Sequence, residues 1–294
     1  MAISETAMTK PVASTRLRWP FLRHLLASPA GVMGCLIVLL LVGSAAFADQ
    51  LAPFAPARMG AGKRFLPPGG SFLLGTDEFG RDMLSRMLFG SRLTLAIGAT
   101  AVGISLSIGL AIGLIAAYRR GWVEVVLMRA TDVLFSFTET LIALACVAVL
   151  GPSLQNAMIA VGIAGIPFYA RTCYAAALVE RSKPYFLASV AAGAGPFRLV
   201  LLHLLPNVLP TMIVVATLGV SNAILAAAGL SFLGLGAQPP LPEWGLMLSG
   251  ASTYINTDPW LMIVPGLAIA LVVLGFNLLG DALRTALDPK GGPA

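Results

Sequence analysis

Residues 93–117 read LTLAIGATAVGISLSIGLAIGLIAA, a run of 25 without a single charge. About 20 mostly apolar residues carry a helix across the hydrocarbon core of a bilayer, so this stretch predicts a membrane-spanning helix. The chain around it has the same character. Of its 294 residues 57% are hydrophobic and 11% charged, against about 25% charged in an ordinary soluble domain, and the mean hydropathy is +0.88. An all-α integral membrane protein follows. Five further stretches are long and apolar enough to span: 31–48, 130–150, 154–171, 207–230 and 260–280. The spans are rich in Gly and Ala, small residues that let helix backbones approach closely in lipid, although 130–150 has Ala alone.

The first span has a second reading. Ala46-Phe47-Ala48 before Asp49 has the form of a signal-peptidase site. The apolar run is longer than the usual signal core, and residues 1–30 precede it, so 31–48 reads as an uncleaved anchor.

Sides follow from charge. With the N-terminus inside, the inner segments hold Lys10, Arg16, Arg18, Arg23, Arg119, Arg120, Arg129, Arg171, Arg181, Lys183, Arg198, Arg284 and Lys290, which are 13 of the 19 basic residues. Excess Lys and Arg in short cytoplasmic loops orients membrane proteins, so both ends lie inside, and the net charge of +6 needs no nucleic acid. The other six basic residues fall between Arg58 and Arg92, in the outer loop. The chain then divides into an inner tail (1–30), the anchor (31–48), an external loop with an interfacial amphipathic helix (49–92), a transmembrane core (93–284) containing an inner loop at 172–206, and an inner tail (285–294).

The inner loop contains YFLASVAAGAGPFRLVLLHLLPNVLP at 185–210, a mixture no spanning helix favours. Ser182 can cap a short helix with Pro184 in its first turn. Leu187, Ala188 and Ser189 continue it, and Gly193 can supply the left-handed residue that ends it. After Ala194, Gly195-Pro196 restarts a second short helix with Arg198 and His203 on it, running to Leu205 and stopped by Pro206. Two readings stand: a surface linker tucked against the bundle, or a docking knob for a soluble partner.

Outside, Thr76 can cap a helix with Asp77 and Glu78 in its first turn, weakened at Gly80; Arg81, Asp82, Met83 and the residues after them give it two faces. It reads as a brace for the second span or as a contact for a partner. At 231–245, Pro239, Pro240 and Pro242 forbid a regular helix, and Trp244 suits the membrane interface; the loop is an outer gate or an anchor. Within the membrane Glu139 is a functional candidate by default, with three readings: a path lining, an interhelical hydrogen bond, or a side chain reaching the inner interface. Thr217, Ser221 and Asn222 are milder path-lining candidates.

Other chemistries lack their motifs. GxxxxGK[ST], HExxH and GxSxG are absent, Cys35, Cys146 and Cys173 have no ligand spacing, and His24 and His203 are far apart in sequence. No catalytic residue, metal site or bound cofactor is expected in this chain.

The spacing Leu187-Ala188-Ser189, then Gly193, then Leu205-Pro206 resembles the EAA loop of ABC importer permeases, with Leu187 where glutamate is usual and Ser189 for the second alanine. FLLGTDEFGRDMLSRMLFGSRLTL (72–95), AGLSFLGLGAQPPLPEWGLML (228–248) and FNLLGDALRTALDP (276–289) resemble the dipeptide/oligopeptide/nickel permease family. The resemblance implies a six-helix type I importer permease in the cell inner membrane, with the inner loop as a coupling helix. It further implies a second homologous permease as heterodimer partner, two cytoplasmic ATPase subunits holding ATP and Mg, and an external solute-binding protein delivering short peptides or nickel complexes. The alternatives are a proton-coupled secondary transporter using Glu139, or a membrane scaffold with no path.

Overall fold

The computed structural model describes residues 28–287. The tail at 1–27, with Lys10, Arg16, Arg18, Arg23 and His24, and the end at 288–294, with Lys290, lie outside the described residues. Among the described residues the chain is helical with no strand, apart from two isolated bridges in the outer loop. Five helices are long and apolar enough to span: α1 (Pro29–Ala46), α2 (Met83–Arg119), α5 (Leu154–Arg181), α7 (Pro196–Phe232) and α9 (Trp260–Leu287). Two shorter helices, α3 (Trp122–Phe135) and α4 (Glu139–Leu150), are long and apolar enough only when taken together, as one span bent by 89°. Among the shorter helices are α6 (Pro184–Ala191) inside and α8 (Trp244–Ala251) outside, with single turns at Ala48–Leu51 and Ser252–Tyr254.

Four expectations are corrected. The span expected over 130–150 is broken at 136–138: the Ser136 hydroxyl donates back to Val133 O, Thr138 is extended, and Glu139 opens a new helix. No separate interfacial helix precedes the second span, because α2 begins at Met83 and runs through it. Asp82 is the cap, its carboxylate accepting from Ser85 N at 2.8 Å. Thr76 caps nothing; its Oγ1 accepts from Leu66 N and donates to Lys63 O, pinning the loop. On the inner side Ser182 gives its hydroxyl to Val179 O at the end of α5, and Lys183 precedes α6 without a side-chain cap. Finally, Pro206 does not stop the second inner helix. Residues Leu199–Leu204 take the wider π-helical turn, which leaves room for a ring that would clash with an ordinary α-turn carbonyl, and the helix continues as a span.

Two cores form. In the larger, α2 lies along α5, with α4, α6 and α7 around them; Ala117, Ala157, Ala160, Cys173 and Ala177 are fully buried. Small residues set the spacing: a Cβ on Gly34 of α1 would lie 2.6 Å from Leu279 N of α9. The second core joins α1, α7, α8 and α9 through Leu41, Trp244, Met247, Leu261 and Ile269. Arg92 ties α1 in from α2, donating to Ala45 O at 2.5 Å and to Asp49 at 2.7 Å. These bonds join the predicted anchor to the bundle.

Candidate functional site

The break between α3 and α4 opens onto a cavity of about 220 Å³ bounded by α2, α4, α5 and α7. Non-helical backbone at membrane depth is tolerated where it lines a cavity. Glu139 and Asn222, from the sequence candidates, both line it, beside Ser105, Phe137, Tyr169 and Gly219. The other two candidates do not. Ser221 is buried and donates to Val273 O on α9 at 3.2 Å, so it joins two helices. Thr217 returns its hydroxyl to Ile213 O on its own helix. One residue step on a helix turns a side chain by about 100°, which separates Ser221 from Asn222. Tyr169 escaped the sequence reading because nothing in a run of Ala, Gly and aromatics marks which ring has an unpaired hydroxyl. A second, wider recess of about 770 Å³ lies nearer the inner side, lined by Arg171, Glu180, Asn207 and Thr211. Phe135 and Phe168 belong to both walls and stand between the two spaces.

The inner knob is α6, the Gly193 bend and the start of α7. Gly193 has φ +78, and Ala194 N donates to Ser189 O across the bend. A left-handed residue with that hydrogen bond is a favoured helix ending. Leu187, Ala188, Gly195, Pro196, Phe197 and Arg198 are exposed, and Phe197 keeps 79% of its surface. Ser189, Ala194, His203 and Leu205 are half-buried, while Pro206 is exposed at the opening of the α-helical part of α7. The knob is fastened from beneath by residues the sequence did not single out: Phe186, Leu199 and Leu204 are buried in the larger core. Arg181, just before the knob, donates to Ala117 O and Tyr118 O at the end of α2. A force applied to α6 therefore reaches both α2 and α7.

On the outer side, Asp77, Glu78, Arg81 and Arg86 form a buried ion cluster. Arg81 meets Asp77 through Nε at 2.5 Å and Glu78 through Nη2 at 3.3 Å, and Arg86 Nε meets Asp77 at 3.6 Å. Gly80, at φ +68, turns the loop back within the Asp77 grip on Phe79 N and Arg81 N. Trp244 is no interface anchor: it is 4% exposed, packs on Gly90 and donates to Met87 O at 3.2 Å. Pro239 and Pro240 carry the chain across this cluster, Pro242 lies against Gly90, and Glu243 caps α8 by accepting from Gly245 N and Leu246 N.

Burial holds the Glu243 carboxyl above the usual carboxylate range, against these two N–H donors. The folded chain thus keeps this proton more tightly than the unfolded one. The group's contribution to stability is full below the ordinary carboxylate pKa and is lost as pH rises through the raised value. The Tm difference between the native chain and Glu243→Gln, followed in detergent from about pH 4 to about pH 8, is expected to move in favour of the glutamine variant as pH rises.

Comparison with known proteins agrees with this geometry. Residues 109–291 match the family model described as binding-protein-dependent transport system inner membrane component. Residues 19–68 match the N-terminal TM domain of oligopeptide transport permease C, a stretch in which the sequence reading found only the anchor. The dipeptide transport system permease protein DppC of Escherichia coli K12 is 44% identical over 289 residues, 96% of each chain. The di/tripeptide transport system permease protein DppC of Pseudomonas aeruginosa is 47% identical over 87% of each chain. The glutathione transport system permease protein GsiD of Pectobacterium atrosepticum is 40% identical over 94% of this chain and 93% of its own. Among solved structures, an inward-facing MetNI methionine ABC transporter chain superposes with a TM-score of 0.58 at 22% identity, covering 69% of this chain and 97% of that one. This last likeness is one of fold.

Proposed function

Because this chain belongs to the family of binding-protein-dependent transport system inner membrane components, we propose that its work as an ABC importer permease subunit of the inner membrane is to pass short peptides. Three relatives carry peptide or glutathione transport in their names, which favours peptides over nickel complexes. The path runs between this subunit and a second, homologous but different permease, against which the exposed faces of α4 and α7 pack. Two cytoplasmic ATPase subunits hold the ATP and Mg, this chain binds no cofactor and performs no catalysis, and an external solute-binding protein delivers the cargo. Nucleotide-driven closure of the ATPases pulls on α6, and the fastening of Phe186, Leu204 and Arg181 carries that motion to α2 and α7. The space around Glu139 then opens to one side at a time.

The observation that supports this reading most is the exposed knob at Leu187–Phe197, anchored in the core at one end and bare at the other. A cysteine at Ala188, which is exposed, is expected to crosslink to an ATPase subunit in the assembled, active importer, and to do so at different rates with and without ATP. A fully active complex that gives no such crosslink rejects the docking role. The family and its named relatives favour neither the proton-relay nor the scaffold alternative.

A further inference from the structure

We propose that Glu139, Asn222 and the Tyr169 hydroxyl form a subsite in the path that takes the α-ammonium group of the passing peptide. The inference rests on the peptide-importer reading above and deepens it. Three helices bring these groups to one cavity: α4 supplies the carboxyl, α7 the amide and α5 the phenol. Tyr169 is 3% exposed, yet its hydroxyl has no hydrogen-bond partner among the described residues. A buried polar group without a partner is costly; the hydroxyl is closed off beside Gly219 in this conformation, and a ligand that parts the wall there supplies the missing partner. The position is protected by Gly219, where any Cβ would collide with that hydroxyl.

Charge selects the ligand. Glu139 is the single ionisable acid on the cavity wall, and no Lys or Arg lines it. A Cβ added at Gly165 would lie 3.8 Å from Glu139 Oε1, which puts the carboxyl against α5 rather than out toward either membrane face. Such a group at membrane depth is costly unless paired, and the wall offers no cation to pair it. A primary ammonium satisfies all three groups at once, donating three hydrogen bonds to a carboxylate, an amide oxygen and a phenol oxygen. The peptide's carboxylate end finds no cationic partner here and faces the opposite wall. The volume of about 220 Å³ is below the roughly 300 Å³ at which small-molecule pockets begin, as one wall of a shared path requires.

The test is dialanine uptake by the complete importer in proteoliposomes, with its binding protein and ATP, expressed as dialanine taken up per ATP hydrolysed. For Glu139→Gln this ratio is expected to fall about tenfold while loaded binding protein still stimulates hydrolysis, and Glu139→Asp to recover it within about twofold. Tyr169→Phe, which keeps the ring in its packing, is expected to lower the ratio about threefold. A native ratio in Glu139→Gln overturns the proposal. So do uptake and hydrolysis that fall in step, since Glu139 would then hold the assembly rather than the cargo. An unaltered importer that moves no dialanine overturns the peptide reading as well, and that failure shows before any substitution is made.

Discussion

Replacing Gly113 by leucine is expected to leave less than about a tenth of the native amount of assembled importer in the membrane. Gly109 and Gly113 face α5 from α2, one helical turn apart. A Cβ at Gly113 would stand 2.7 Å from both Ala170 O and Cys173 Cβ and 2.8 Å from Tyr174 N. Two of these atoms are backbone, so no rotamer change can clear them, and the helices must separate along their most extensive contact. Overpacking costs about 1–3 kcal/mol where neighbours can adjust, and here they cannot. Lipid adds no remedy, because helix association in a bilayer depends on packing and not on exclusion from water. Size-exclusion chromatography of detergent extracts measures the result. Gly43→Leu on α1, where a Cβ meets nothing within 4 Å, is the control and should assemble normally. Equal yields from the two variants would mean that α2 and α5 do not depend on this close approach.

That glycine pair also shows what a sequence reveals and what it conceals. Hydropathy located the five long spans, because an apolar run must be long enough for the bilayer whatever its neighbours are. The Gly193 bend was legible because few residues but glycine adopt its left-handed backbone readily. The break at 136–138 was not, since Phe135-Ser136-Phe137 is apolar enough to continue a helix, and only the packing of α3 and α4 against α5 decides otherwise. Glu139 was therefore placed inside a continuous helix when it opens the second half of a bent pair. Pro206 reads as a stop by its missing N–H and ring clash, and the π-turn that absorbs it has no sequence mark. At the cavity, polar character found Glu139 and Asn222 but could not separate them from Ser221, whose hydroxyl serves a neighbouring helix. Trp244 was assigned to the interface from the habits of indole, when Gly90 had left it a buried slot.

The outer charges concealed more, and they lead to the second large effect: Asp77→Ala is expected to lower the Tm of the detergent-purified importer by about 10 °C. In sequence Asp77, Glu78 and Arg81 read as part of an amphipathic helix at the outer interface. In the fold Asp77 is 4% exposed, Arg81 5% and Arg86 4%. Asp77 faces both guanidiniums and also accepts from two loop N–H groups. Removing one partner of a buried ion pair costs about 3–5 kcal/mol, because the remaining charge stays buried and unpaired; here two guanidiniums would be left with Glu78 alone, at the partly exposed edge. The cluster borders the Pro239–Leu241 crossing and α8, so its loss loosens the outer cap from the head of α2. Asp49 gives the contrast. Its pair with Arg92 is solvent-facing, with side-chain exposures of 65% and 36%, and Asp49→Ala should cost no more than about 1 kcal/mol. If Asp77→Ala melted with Asp49→Ala rather than well below it, water would have to reach the cluster freely, and the cap would owe its position to the packing of Trp244 and Leu261 instead.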